Sequence, residues 1–224
     1  MSQRKDSKKG IRRSKSGSRS KSSARWLERQ RKDPFARKAS TQGRISRAHF
    51  KLEQLDARFR LLKPGMRVLE LGAAPGGWTQ YVESRIGGSG LLVACDYRPI
   101  AAAAATRVVV GEVGAPEVDE QVDKALESGK VDLVLSDMAP NISGIRAADQ
   151  ARSMHLVEVA EAAARRWLKP TGTLVVKIFQ GGGVEEWIRQ MRKQYAGFKV
   201  VKPEASRSDS REMYAVAERF RDLG

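Results

Sequence analysis

Lys177 stands where a lysine is least at home. It interrupts Thr173-Leu174-Val175-Val176-Lys177-Ile178-Phe179, a run otherwise fit for the interior of a sheet. An ammonium in low dielectric is costly unless it is paired. Asp137, just past the apolar run Val131–Leu135, ends a neighbouring strand and is a plausible partner. Two readings follow. Lys177 is a structural ion-pair member or a lysine snorkelling to the sheet edge, or it is a base. A lysine can take a proton from a hydroxyl when desolvation brings its amine toward about 7–8. Such proton removal contributes typically about 10²–10⁴-fold, the rest coming from orientation of the reactants. Lys51, on the border of a helical face, and Glu212, at the start of the last strand, are each ordinary solvated charges when taken alone.

A second motif lies upstream. Gly72-Ala73-Ala74-Pro75-Gly76-Gly77-Trp78 follows the apolar run Val68–Leu71 and opens a helical pattern. A glycine-rich turn here lets backbone come close to a ligand. The dinucleotide pattern G-x-G-x-x-G needs glycine at 74, where Ala74 stands, and Pro75 removes a backbone N–H. Both departures weaken a pyrophosphate cradle. S-adenosylmethionine has no phosphate and needs only close backbone approach. Asp96 ends the next strand, 24 residues after Gly72, and suits the paired hydroxyls of a ribose. The plainer alternative is a tight turn with Asp96 capping a strand end. Methyl transfer from a sulfonium needs a nucleophile in line beyond the methyl, and a hydroxyl serves poorly while protonated. Ser136-Asp137-Met138-Ala139-Pro140-Asn141 lacks the aromatic with which amine-methylating enzymes grip a flipped base in an Asp/Asn-Pro-Pro-aromatic loop. Oxygen is therefore favoured over a base nitrogen.

These residues need a scaffold, and the hydropathy pattern supplies one. Ala48, Leu52, Leu55 and Phe59 recur at helical spacing over 46–60, and Pro64-Gly65 makes a turn. Strands are predicted at 68–71, 91–95, 106–110, 131–135, 173–179, 198–201 and 212–217, with helices from 78–85, 117–128, 149–167 and 184–194. Apolar strands separated by helices imply a parallel sheet covered on both faces. No helix separates the last two strands, which predicts an antiparallel edge. The fold class is α/β: a doubly wound, mostly parallel, seven-stranded sheet with one antiparallel edge strand. Ala101–Ala105 reads as helix or loop filler.

The net charge of +16 is unevenly placed: residues 1–44 hold 16 Lys and Arg against 3 Asp and Glu. Residues 1–24 are too poor in apolar groups to fold and read as a disordered basic tail. Residues 25–44 form a basic segment that orders only against RNA or the body, and 45–224 form the main domain. The asymmetry points to a polyanionic partner. A single cysteine, Cys95, permits no intrachain disulfide, and no apolar run approaches a membrane span. A cytoplasmic, membrane-free monomer is expected. His49 and His155 are isolated, so no metal site is expected. Trp78 suits either helix packing or a cofactor wall. Arg207 and Arg211 are phosphate grips or plain surface charge.

Taken together, Ser46-Arg47-Ala48-His49-Phe50-Lys51-Leu52, Leu71–Trp78, Ala94-Cys95-Asp96, Ser136–Asn141, Val175-Val176-Lys177-Ile178-Phe179-Gln180-Gly181 and Ser210-Arg211-Glu212 resemble the FtsJ/RrmJ family of ribosomal RNA 2′-O-methyltransferases. The resemblance runs in family order from about residue 25 to 218. It implies the Rossmann-like fold of S-adenosylmethionine-dependent methyltransferases. It also implies a Lys-Asp-Lys-Glu tetrad of Lys51, Asp137, Lys177 and Glu212, with Lys177 the central catalytic base. The cofactor positions carried over are Gly76, Trp78, Asp96, Asp137 and Glu112, the last standing where many members have Asp. The implied partner is large-subunit ribosomal RNA, or the assembled large subunit, methylated on a uridine. A transfer RNA 2′-O-methyltransferase and a non-catalytic RNA-binding assembly factor are the rival readings.

Overall fold

The computed structural model describes residues 33–100 and 102–221. The expected disordered tail, 1–24, and the start of the 25–44 segment lie outside the described residues. The rest of that segment holds a helix that apolar spacing alone does not predict, α1 (Pro34–Thr41). Asp33 caps it, Oδ1 accepting from the N–H groups of Phe35 (3.0 Å) and Ala36 (3.1 Å). Pro34 occupies the first turn, where its missing N–H matters least. Phe35 and Ala39 pack with Phe50 and Ala205, so this stretch orders on the body.

The body follows as α2 (Ala48–Phe59), β1 (Arg67–Leu71), α3 (Gly77–Ile86), β2 (Leu91–Asp96), β3 (Arg107–Val110), α4 (Pro116–Ala125), β4 (Val131–Ser136), α5 (Arg146–Trp167), β5 (Leu168–Phe179), α6 (Val184–Gln194), β6 (Tyr195–Val201) and β7 (Glu212–Phe220). One sheet holds the seven strands in the order β3-β2-β1-β4-β5-β7-β6. β1 to β5 pair in parallel. The antiparallel pairing sits at the far edge, where β7 runs between β5 and β6. The architecture read from the pattern is thus present. β5 starts earlier than its apolar run, because Leu168 pairs with Val131 across a register shift. The polar Lys169-Pro170-Thr171-Gly172 hides that start. Ala102–Ala105 form coil and turn, not helix.

Side chains alternate across a strand, and here they feed two cores. Leu69, Val93, Val134, Leu174 and Val176 meet α4, α5 and α6 on one face. Val68, Leu133, Leu135, Val175, Tyr214 and Val216 meet α2 and α3 on the other. By that parity Glu70, Lys177 and Glu212 belong to the α2/α3 face, as does Asp137 one step beyond β4. The strand order reverses between β1 and β4, which opens a crevice at their carboxyl ends.

Candidate active site

Gly72 (φ +75) turns the chain out of β1. A Cβ there would lie 2.8 Å from the backbone nitrogen of Met138, which cannot move aside. The loops after β1 and β4 touch because residue 72 has no side chain. Gly76 (φ 111) then caps α3. Beside this turn lies a cleft of about 620 Å³ lined by Gly72, Ala74, Asp96, Glu112, Asp137 and Met138, with Leu156 and Val159 of α5 as apolar wall. That is a volume typical of small-ligand sites.

Asp96 is buried at the end of β2. Its Oδ2 accepts the Ala74 N–H at 2.9 Å and its Oδ1 accepts the Arg98 N–H at 2.8 Å. With the Ala74 amide so engaged and none on Pro75, two successive loop positions offer nothing to a phosphate. The N–H groups of Gly77 and Trp78 at the start of α3 have no intrahelical acceptor, and Gly76, having no side chain, caps neither. The positive end of the helix dipole there favours a carboxylate.

On the α2/α3 face the charged residues meet. Lys177 Nζ lies 2.6 Å from Asp137 Oδ1, with side-chain exposures of 7% and 17%, and donates to the Asp137 carbonyl at 3.1 Å. Lys51 Nζ lies 2.6 Å from Glu212 Oε1, both side chains nearly buried. Neither is the solvated charge that its position alone would allow. Cross-strand register explains the assembly: Lys177 sits opposite Tyr214 and Phe179 opposite Glu212, while α2 lowers Lys51 from above. The Asp137 N–H donates to Leu71 O at 3.1 Å, which ties the acid to the strand that opens the cleft.

Burial alone would raise the Asp137 carboxyl. The ammonium groups of Lys177 and Lys51 overcome it, with bonds from Lys177 and Tyr214, and hold the group below the usual carboxylate range. Glu212 is held low in the same way, the charges of Lys51 and Lys177 outweighing burial. Lys51 moves the other way: burial lowers its ammonium, Asp137 and Glu212 offset this only in part, and the like charge of Lys177 adds to it.

Two members of the site escaped the sequence reading. Tyr214, in the apolar run Met213–Ala217, donates its hydroxyl to Asp137 Oδ1 at 2.6 Å and packs at a tilt against Trp78, centroids 5.6 Å apart. Burial, then the charge of Asp137, pushes its phenol well above the usual range, so it remains a donor. Tyr214→Phe should cost about 1.5–3 kcal/mol of stability, the worth of a hydrogen bond to a charged group, measured by denaturant unfolding. The other is Glu70 on β1, 1% exposed, which accepts a hydrogen bond from Thr79 Oγ1 of α3 at 2.8 Å. Burial pushes its carboxyl up to about 8. Between about pH 4.5 and 8 the native state therefore binds a proton that the unfolded chain has lost, and stability falls as pH rises through that window. Glu70→Gln should flatten this decline. A pH series of urea melts with an equal slope in both proteins would contradict it.

The structure brings Lys51, Asp137, Lys177 and Glu212 together, and places Asp96, Glu112 and Asp137 on the cleft. Gly76 shapes the turn without lining the cleft. The Trp78 ring is core: it is 2% exposed and donates from Nε1 to Ala48 O at 2.8 Å, so of the two uses its type suits the ring takes packing. Only its main chain, in the first turn of α3, remains to face a ligand. Arg207 bonds Asp33 at 3.2 Å, a carboxylate that also holds Arg47, while Arg211 is exposed.

Fold and site define a Rossmann-like α/β protein with a ligand cleft at its switch point and a buried Lys-Asp centre beside it. The chain belongs to the FtsJ-like methyltransferase family, whose model matches residues 44–220. It is 48% identical over 201 residues to ribosomal RNA large subunit methyltransferase E of Xanthomonas euvesicatoria pv. vesicatoria, covering 90% of this chain and 96% of that protein. The protein so named from Coxiella burnetii is 44% identical over 202 residues, covering 88% and 95%. A crystal structure of a ribosomal RNA methyltransferase from Plasmodium falciparum superposes with a TM-score of 0.71 at 25% identity, covering 78% of this chain and 97% of that one.

Proposed function

We propose that this protein transfers a methyl group from S-adenosylmethionine to the 2′-hydroxyl of a uridine in large-subunit ribosomal RNA, with Lys177 as the base. The observation that carries the reading is the buried Lys177–Asp137 pair at 2.6 Å, tied through Asp137 to the turn that borders the cleft. The family and the names of its relatives support ribosomal RNA as the substrate class.

The residues present fit the cofactor. Asp96 would offer a carboxylate to ribose hydroxyls, Glu112, which lines the same cleft, would take the adenine, and the Gly77 and Trp78 amides would suit an amino-acid carboxylate. The engaged Ala74 amide and Pro75 disfavour a phosphate-bearing rival. Bound there, S-adenosylmethionine supplies an electrophilic methyl on a sulfonium. Lys177 would take the hydroxyl proton as that oxygen bonds to the methyl and the thioether leaves. Asp137 fixes the amine and the hydroxyl, and Lys51 and Glu212 orient the ribose. An intact tetrad argues against a non-catalytic assembly factor.

The test is methyl incorporation into purified, undermodified large subunits, with the product mapped for 2′-O-methyl groups. One new site on a large-subunit uridine is expected. Strong labelling of transfer RNA with none in subunits would reassign the substrate. The protein is proposed to act as a cytoplasmic monomer, and no helix among the described residues is long and apolar enough to cross a membrane. The basic residues 1–24 are proposed to contact RNA phosphates. Their deletion should weaken binding and flatten its dependence on log salt, because fewer counterions are released. An unchanged slope would take that segment off the RNA.

A further inference from the structure

A ribose hydroxyl must penetrate to a lysine whose side chain is only 7% exposed. A nucleotide stacked and paired in a helix cannot insert its sugar so far; it must be turned out, and its base leaves the stack. The base hangs on the carbon next to the one that bears the reacting hydroxyl. It must therefore come to rest on protein close to Asp137.

The loop after Asp137 carries an unusual surface. Ile142 is 71% exposed and Ile145 66%. The turn that bears them is held firmly. Asp149, itself 6% exposed, accepts from the Ser143 N–H (2.8 Å), the Ser143 hydroxyl (2.7 Å) and the Gly144 N–H (3.0 Å). Gly144 (φ +89) provides the bend. Pro140 and Asn141, immediately before, line the cleft. Ile142 follows Asp137 by five residues, so chain length keeps it within about 17 Å. Apolar side chains fixed in water keep their full hydration cost, and a pre-ordered turn spares the ordering cost when a ligand arrives.

We propose that Ile142 and Ile145 form a rigid apolar platform for an unpaired base of the RNA substrate, that of the methylated nucleotide or its neighbour, while the ribose enters the Lys177–Asp137 centre. The proposal rests on the reading of this site as an RNA 2′-hydroxyl methyltransferase. Arg146, next on the turn and exposed, suits a ligand with flat apolar faces and an anionic backbone. Two isoleucines are too small a patch to hold a folded protein.

The test compares wild type with Ile142→Ser/Ile145→Ser, binding single-stranded oligouridylate and a duplex RNA of equal length over a salt series. Both side chains are exposed, so the fold should survive, and a melting curve checks it. Single-strand affinity should fall about tenfold. Duplex affinity, S-adenosylmethionine affinity and salt slope should stay unchanged, since no phosphate contact is lost. Asp149→Ala, which frees the turn but keeps both isoleucines, should give an intermediate loss. Unchanged single-strand binding, or equal loss on both RNAs, would overturn the proposal. So would loss of subunit methylation alone, which would make the turn a contact to ribosomal protein. If the wild type methylates no RNA yet shows the single-strand loss on substitution, the platform stands and the functional reading falls.

Discussion

Lys177→Ala is expected to lower methyl transfer by about 10²–10⁴-fold, the range for removal of a general base, and to leave S-adenosylmethionine affinity within a few-fold. The separation follows from geometry. Lys177 is on β5 and touches Asp137 but is not part of the cleft wall, whereas Asp96 and Glu112 are. Single-turnover incorporation measures the first quantity and equilibrium titration the second. The fold should hold, because Asp137 keeps its bond from Tyr214 and the charge of Lys51. Wild-type turnover by this variant would remove Lys177 from the mechanism.

Asp137→Ala should be as damaging to activity and far more damaging to the fold. It leaves two nearly buried ammonium groups with Glu212 as the one acid of the tetrad. Removing one partner of a buried pair costs about 3–5 kcal/mol, here toward the lower end because Asp137 keeps 17% exposure. The sign with pH is fixed by the direction of its shift. A carboxyl held below its unfolded value contributes stability that is full above about pH 4, near the unfolded pKa, and is lost as pH falls through the native one. The difference between wild type and variant should therefore be flat from neutral to mildly acid pH and shrink in stronger acid. Asp137→Leu combined with Lys177→Met should recover much of the stability, since apolar replacement of a whole buried pair is often neutral, and should stay inactive. Recovery of activity in that double variant would refute the assignment of both residues.

The sheet was legible because its strands are apolar runs separated by helical spacing, and Lys177 was conspicuous because it broke one of those runs. Polarity hid the rest. α1 has few apolar residues and is a helix only through its cap and its packing on Phe50. Tyr214 looks like any core aromatic until the register sets it opposite Lys177. Glu70 reads as an ordinary strand residue, and only its burial against Thr79 marks it. Lys51 and Glu212 gained meaning from spatial closeness that spacing along the chain does not encode. Family resemblance named that pair, and the structure supplies the distance.

The placement of β7 between β5 and β6 has a consequence for synthesis of the chain. The acid that holds Lys51 and the phenol that steadies Asp137 both come from this strand, so they emerge from the ribosome after every other member of the centre. Until residues 212–220 have slotted in, β5 offers an open hydrogen-bonding edge and Lys177 lacks its cross-strand neighbour. On the proposed mechanism, activity and completion of the sheet arrive in one event, and a molecule clipped before residue 212 is expected to be inactive.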